Sequence, residues 1–449
     1  MTSIFNRKTI YTFVSAAFII VGTAVAIQYA KGNLRVTEQG FVQGTGLLAA
    51  NSFPTGAEVH IDDKLVTATD DTIYLEPGLY NVAIIKEGYT PWNKQVRIAK
   101  ELVTQTNAQL FPIAPSLSTL TFTGVTNLQP SPDGEKVIYY SASASAEKKN
   151  GLYILGLTPN NNLTLSKGPK QIAEDSRNFD LTTARYIWSP DSTEVMVFNE
   201  NRTVLLDASK LNDLDLLPDI GYKQKQVLSE WEQEMYLRER QFLADFPEEI
   251  IQIATMSAEN IYISPDKKRL IYTATETIAL PENMVPDSLP STNSIEEVRA
   301  LEPNTIYIYD REEDRNYRIA EIASDSARAT KKLLAFDAFD PNSALITASP
   351  SSFTSLQATE SAQTANNFNS YHSPVYANTF QWYPDSKHLL YVENNQIKIM
   401  EFDGGNQVTL YSGPFADHFV YPSPNGERLI IITSFSPDSP MNLYAVELK

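Results

Sequence analysis

The chain has 449 residues, enough for two to three folded units, and its 42% hydrophobic and 20% charged residues are the proportions of a globular protein with a sizeable core. With 36 basic against 54 acidic side chains the formal net charge is -18, which repels phosphate backbones and argues against a nucleic-acid partner. Cysteine is absent, so disulfides, thiolate zinc sites, iron-sulfur clusters, cysteine nucleophiles and lipid attachment through cysteine are excluded.

The first predicted element comes after a short N-terminal tail, residues 1–8. No residue between Lys8 and Lys31 is charged, and Ile10 to Ala30 is dominated by Ile, Val, Phe and Ala. A helix of this length rises about 30 Å, the thickness of a bilayer hydrocarbon core, and Tyr11 and Tyr29 sit where interfacial aromatics belong. The expectation is a transmembrane anchor over 9–30, with a cleavable signal peptide ending near Ala24-Val25-Ala26 as the alternative. Arg7 and Lys8 against Lys31 and Arg35 give only a weak positive-inside bias; the short tail favours N-inside. Either version exports the remainder of the chain.

After a spacer, residues 31–44, comes a small β module over 45–112. Val59 and Ile61 alternate with polar neighbours as in a half-buried strand, and Pro54 and Gly56 mark the turn before it. Glu76-Pro77-Gly78 separates Ile73-Tyr74-Leu75 from Tyr80 to Ile85, and Gly88-Tyr89-Thr90-Pro91-Trp92 leads into Val96-Arg97-Ile98. Short strands punctuated by Pro and Gly predict an antiparallel β-sandwich. The Pro54-x-Gly56-Ala57 turn, the Pro77-Gly78-x-Tyr80 turn and Gly88-Tyr89-x-Pro91-Trp92 occur in the order of the PEGA domain family, which this stretch resembles. It departs from the family at Thr55 and Asp63. The resemblance implies an extracytoplasmic accessory module without catalytic residues. Tyr89 and Trp92 are expected to fill its core rather than to form a sugar-stacking face.

From Pro115 onward a unit of strand, turn and apolar strand repeats. The turns are Ser131-Pro132-Asp133-Gly134, Ser189-Pro190-Asp191-Ser192, Ser264-Pro265-Asp266-Lys267, Tyr383-Pro384-Asp385-Ser386 and Ser423-Pro424-Asn425-Gly426. Proline fixes φ and the Asp or Asn side chain bonds backbone NH groups just downstream, so the motif closes a hairpin. Positions four to six after that residue are apolar each time: Val137-Ile138-Tyr139, Val195-Met196-Val197, Leu270-Ile271-Tyr272, Leu389-Leu390-Tyr391 and Leu429-Ile430-Ile431. This column is expected to pack between neighbouring blades. The last repeat stops after its third strand, and Leu117 to Phe122 is available to supply the outer one and close the ring. The repeats resemble those of TolB-like propellers. That implies four-stranded blades over 115–449, with a turn-stabilising role for Asp133, Asp191, Asp266 and Asp385, and Asn425 as the departure.

Three insertions interrupt the repeats. Leu228, Trp231, Met235, Phe242 and Phe246 fall at helical spacing within 222–246, an amphipathic helix expected either to pack on the propeller or to dock another protein. Residues 280–304 carry Pro281, Pro286, Pro290 and Pro303 and read as a loop; 340–374, rich in Ser, Ala, Thr and Asn, reads the same way. Lys332 to Ser349 leaves room for a sixth, degenerate blade beside the five countable ones.

Chemical motifs are sparse. His60, His372, His388 and His418 show no metal spacing, and neither a nucleophile elbow nor a phosphate loop occurs. The acidic clusters Asp213 with Asp215, and Glu312 and Glu313 with Asp314, lack the glycine of a calcium loop and read as solvated loops. Trp188 and Trp382, each just before its turn, are placed on inner strands, either in blade packing or as ligand-stacking groups. No catalytic, cofactor or metal site is assigned. The expected function is a membrane-anchored, extracytoplasmic binding or scaffold protein, mainly β, whose propeller receives a cell-envelope protein or glycan. The alternatives are a glycan-cleaving or cyclising propeller enzyme with paired carboxylates at its central mouth, and a structural subunit of an envelope assembly.

Overall fold

The computed structural model describes residues 7–30, 34–36, 42–142, 150–157, 168–286, 291, 293–321, 380–416, 419–436 and 439–449. Two compact units are present: Met1–Ile113 with Pro290–Glu296, and Ala114–Leu289 with Glu297–Lys449. His372, His418, the 340–374 insertion and the candidate sixth blade around Lys332 to Ser349 lie outside the described residues.

The first unit begins with helix α1, Arg7–Ala30. Side chains 11–27 are all exposed, among them Phe13, Phe18, Ile19, Ile20 and Val21. Among the described residues no helix is long and apolar enough to cross a membrane. The transmembrane span expected over 9–30 is therefore not supported; what the structure describes there is a helix whose apolar side chains are exposed.

The β module of this unit packs a four-stranded sheet against a three-stranded one. The first has the order Lys64–Ala68, Glu58–Ile61, Gly78–Ile85, Trp92–Ile98; the second has the order Val103–Gln105, Gly46–Ala50, Asp71–Leu75. Alternation along Glu58–Ile61 sends Val59 and Ile61 into a core shared with Leu48, Val82, Ile84, Trp92, Val96 and Ile98. The sandwich is mixed, where the sequence suggested a purely antiparallel one. Val103–Gln105 runs parallel to Gly46–Ala50, and Ala108–Gln109 parallel to Ser52–Phe53. Each parallel pair is joined by most of the module, the long crossover that parallel pairing requires.

Among the described residues the second unit is a β-propeller with five blades. Blade 1 comprises Thr126–Pro130, Lys136–Ser141, Gly151–Gly156 and Lys170–Glu174, and blade 2 only Arg185–Trp188, Glu194–Phe198 and Thr203–Asp207. Blade 3 comprises Ala258–Ile263, Arg269–Ala274, Thr305–Asp310 and Arg315–Glu321, and blade 4 Phe380–Trp382, His388–Glu393, Gln396–Glu401 and Val408–Tyr411. Blade 5 takes Val420–Pro422, Arg428–Thr433 and Asn442–Glu447 from the end of the sequence and Leu117–Thr119 as its outer strand. In that closure Leu117 pairs with Val446, Thr119 with Tyr444, and Ser118 Oγ donates to Glu447.

The apolar column sorts by face. Residues four and six after the turn Asp face the preceding blade: Val195 and Val197 meet Ile138 and Leu152, and Leu389 and Tyr391 meet Ile271 and Ile308. Residue five faces the next one, as Ile430 does toward Val137 and Tyr139. Between blades 2 and 3 a helical pair fills the slot instead. On one side Ile187, Met196 and Phe198 pack against Leu228, Trp231 and Met235 of α2, Gln224–Leu243. On the other, Leu270 and Tyr272 meet Leu243, Phe246 and Ile250, Ile253 and Ala254 of α3, Glu248–Met256. The predicted helix at 222–246 is thus one of two, and its apolar face is covered within the chain. Among the described residues blade 2 has no fourth strand; Asn212 Oδ1 accepts from Asp207 N, Asp219 Oδ1 from Thr203 N, and Ile220 N donates to Thr203 O, which blunts the edge.

Candidate functional site

The turn carboxylates are consumed by the turns. Ser189 and Ser264 donate to Asp191 and Asp266 at 2.6 Å, and Ser423 donates to Asn425 at 2.7 Å. Asp133, Asp191, Asp266, Asp385 and Asn425 each accept from the amide two residues on, that of Glu135, Thr193, Lys268, Lys387 and Glu427 respectively. Asn425 therefore substitutes without loss, since one side-chain oxygen suffices. The serine bond holds Asp191 below the usual carboxylate range.

The residue after the turn Asp decides how neighbouring blades latch, a role the sequence did not reveal. Where it is serine, its hydroxyl accepts from the preceding blade: Ser192 from Asp133 N and Ser386 from Asp266 N. Where it is glycine, a tyrosine of the preceding blade fills the space. The Tyr421 hydroxyl lies 2.8 Å from where a Cβ on Gly134 would stand, and the Tyr383 ring 3.2 Å from the same point on Gly426; both glycines have positive φ. At Lys267 the preceding element is α2, and the ammonium sits 3.8 Å from the Phe242 ring centre. Trp188 and Trp382 also join blades: their indole NH groups donate to Gln129 O and Tyr262 O at 3.2 and 3.1 Å.

Two charge pairs are buried or half-buried in blades 3 and 4. The Arg269 guanidinium lies 2.7 Å from Asp310, 3.1 Å from Ser386 O and 4.0 Å from the centre of the Phe402 ring. Asp310 is fully buried, and burial raises its pKa although Arg269 opposes the rise. His388, also buried, places Nδ1 2.6 Å from Asp385 Oδ2. Burial alone would lower the His388 pKa, but the charge and hydrogen bond of Asp385 raise it above 6.5. Burial likewise acts against Asp385, whose pKa ends below 3.8 through His388 and two backbone amides.

This pair makes stability depend on pH. A raised histidine pKa stabilises the fold below about 6.5 and is lost as pH rises through the folded value; a lowered aspartate pKa stabilises it above about 3.8 and is lost on acidification. Between pH 6 and 8 the wild-type melting temperature should fall relative to that of His388→Gln. Parallel curves across that range would show that the imidazolium contributes nothing.

The other sequence candidates have structural places. Trp92 is buried in the module core and Tyr89 packs at its margin; His60 pairs with Glu58 at 3.1 Å. Asp215 accepts from Ser176 and Asn178, and Asp213 caps the Asp215 amide. Asp314 corrects the reading of a solvated loop: it is buried, accepts from the Tyr309 hydroxyl at 2.7 Å and lies 3.5 Å from Arg299. Among the described residues no group of three or more His, Asp or Glu is placed to hold a metal.

What is left for recognition lies on the first strands, where the blades converge. Hydrogen bonds between first strands of adjacent blades, and from Asn127 Nδ2 to Ala184 O, place them there. These strands and their starts carry Thr126, Asn127, Gln129, Arg185, Glu259 and Gln381. Asn127 and Asn260 adopt positive φ at bulges, which re-aim backbone groups. Gln381 Oε1 is buried with no hydrogen-bond partner among the described residues. The arrangement offers amides, a hydroxyl and single opposite charges, a set suited to holding a polar ligand.

Residues 45–113 match the family model described as PEGA domain. No curated protein matches the chain. Similar solved structures include TolB from Acinetobacter baumannii, at 12% identity and a TM-score of 0.20, over 82% of this chain and 60% of that one. The Pyrococcus horikoshii acylaminoacyl peptidase is another, at 10% identity and 0.18, over 74% of this chain and 40% of that one. The chain thus spans less than two thirds of either neighbour, and the propeller assignment rests on its own strand pairing. Its architecture is a PEGA domain followed by a β-propeller.

Proposed function

We propose that this is a non-catalytic, extracytoplasmic binding protein whose propeller receives a protein of the cell envelope at its central mouth. The observation that supports this most is the division of labour among polar groups. The groups that would make a reactive centre, the turn carboxylates, His388 with Asp385, and Asp310, are engaged within their own blades, in hairpin turns and buried ion pairs. The first strands present amides and one charge of each sign. Attachment to a membrane through α1 is part of the proposal, because a helix exposing apolar side chains all round is poorly suited to water.

The test is affinity capture from envelope extract with the full chain in mild detergent, beside Arg185→Glu and Glu259→Lys. One envelope protein retained by wild type and lost with either charge reversal is expected. Capture unchanged by both would remove the mouth as the site, and release of glycan fragments by the purified chain would replace binding with catalysis. Full chain should sediment with membranes, whereas a chain beginning at residue 42 should stay in the supernatant; equal distribution would remove the attachment role of α1.

A further inference from the structure

Trp92–Ile98 is an edge strand of the module's four-stranded sheet, with its inner side paired to Gly78–Ile85. An edge strand presents backbone groups along its outer side and is a template for another extended segment. Near the end of Trp92–Ile98, Thr104 Oγ1 donates to Arg97 O, and its middle is engaged by residues far away in sequence. Asn293 forms an antiparallel bridge with Val96, and the Ser294 hydroxyl donates to Gln95 O. The segment is shaped for this by its own bonds, Asn293 N to Ser291 Oγ and Ile295 N to Asn293 Oδ1. It belongs to the module's compact unit although the residues on either side of it do not.

Charge matches in part: the edge strand carries Lys94 and Arg97 and the segment carries Glu296, while the following Glu297 pairs with Arg299 at 3.2 Å. Pro281, Pro286, Pro290 and Pro303 lie in the insertion on both sides of the contact and limit its tendency to form a regular strand of its own. A bridge and a side-chain bond make a small contact, one that intramolecular tethering sustains through effective concentration.

We propose that the Trp92–Ile98 edge is a strand-addition site for an acidic, extended peptide of a partner protein, and that the segment around Asn293 is a built-in occupant competing for it. This site is separate from the propeller mouth, so either assignment can fail alone. Recognition would run through backbone bonds along the edge, with Lys94 and Arg97 selecting acidic side chains.

The absence of cysteine permits a direct test. Gln95→Cys combined with Ser294→Cys, oxidised and run without reductant, should form an internal cross-link closing a loop of about 200 residues and a faster-migrating band, absent from either single variant. A labelled peptide of residues 290–297 should bind at least tenfold more tightly to a variant with 290–296 replaced by a Gly-Ser linker than to the full chain. A reversed-charge peptide with lysines for both glutamates should bind neither. Failure of the cross-link would overturn the occupied state. Equal or absent peptide binding would overturn the competition, and equal binding of the lysine peptide the acidic preference.

Discussion

Arg269→Ala is expected to destabilise the propeller by about 3–5 kcal/mol, the range for breaking a buried ion pair by removing one partner. Asp310 would remain in a fully buried position with its main counter-charge gone. The Phe402 ring would lose the guanidinium stacked on it and Ser386 O its donor, so the joint between blades 3 and 4 would weaken at two points. Urea denaturation measures the loss. Burial already raises the Asp310 pKa, and without Arg269 it should rise further. A raised folded pKa means that stability falls as pH rises through it, so the variant's deficit should shrink on acidification. Arg269→Met with Asp310→Asn, which leaves no buried charge, should recover most of the loss. A deficit below about 1 kcal/mol in the single variant, typical of a surface pair, would show that the pair is hydrated in solution.

Trp231→Ala should cost about 3 kcal/mol or more, since a large side chain packed between α2 and blade 2 would leave a cavity that sheet and helix cannot both move to fill. Leu237, on the same helix but 55% exposed, should tolerate alanine within about 0.5 kcal/mol. Thermal melts of the two variants separate the roles the sequence left open for this helix. A docking helix would show the reverse order of effects on partner capture, with Trp231→Ala leaving stability intact. The measured contrast also reports on the slot itself, because α2 and α3 stand where blades 2 and 3 would otherwise meet.

The blades were legible because their signal is local and repeated. A turn such as Ser189-Pro190-Asp191-Ser192 and the column Val195-Met196-Val197 lie within nine residues, so hairpin and core faces can be read together. The closing strand at Leu117 was legible by subtraction, from a last repeat lacking an outer partner. The joints between blades were not legible. Whether Ser192 would accept a bond from blade 1, or Gly134 receive Tyr421, depends on residues that meet only after folding. Arg269 and Asp310 are 41 positions apart, separated by the insertion, and nothing in their spacing announces a pair. Asp314 misled for a related reason: its acidic neighbours suggested solvent, whereas Tyr309 and Arg299 supply a buried setting. At the mouth, residue types could be read but not their convergence from separate blades.

The clasp between Leu117–Thr119 and Asn442–Glu447 joins residues more than 300 positions apart. The earliest and latest parts of the propeller sequence therefore stabilise one another, and blade 1 lacks its apolar partner from blade 5 until nearly all of the propeller sequence has been made. Such a topology carries a large entropic toll on the step that shuts the circle, so acquisition of the native state should be slow and should come last, whatever speed the individual hairpins reach.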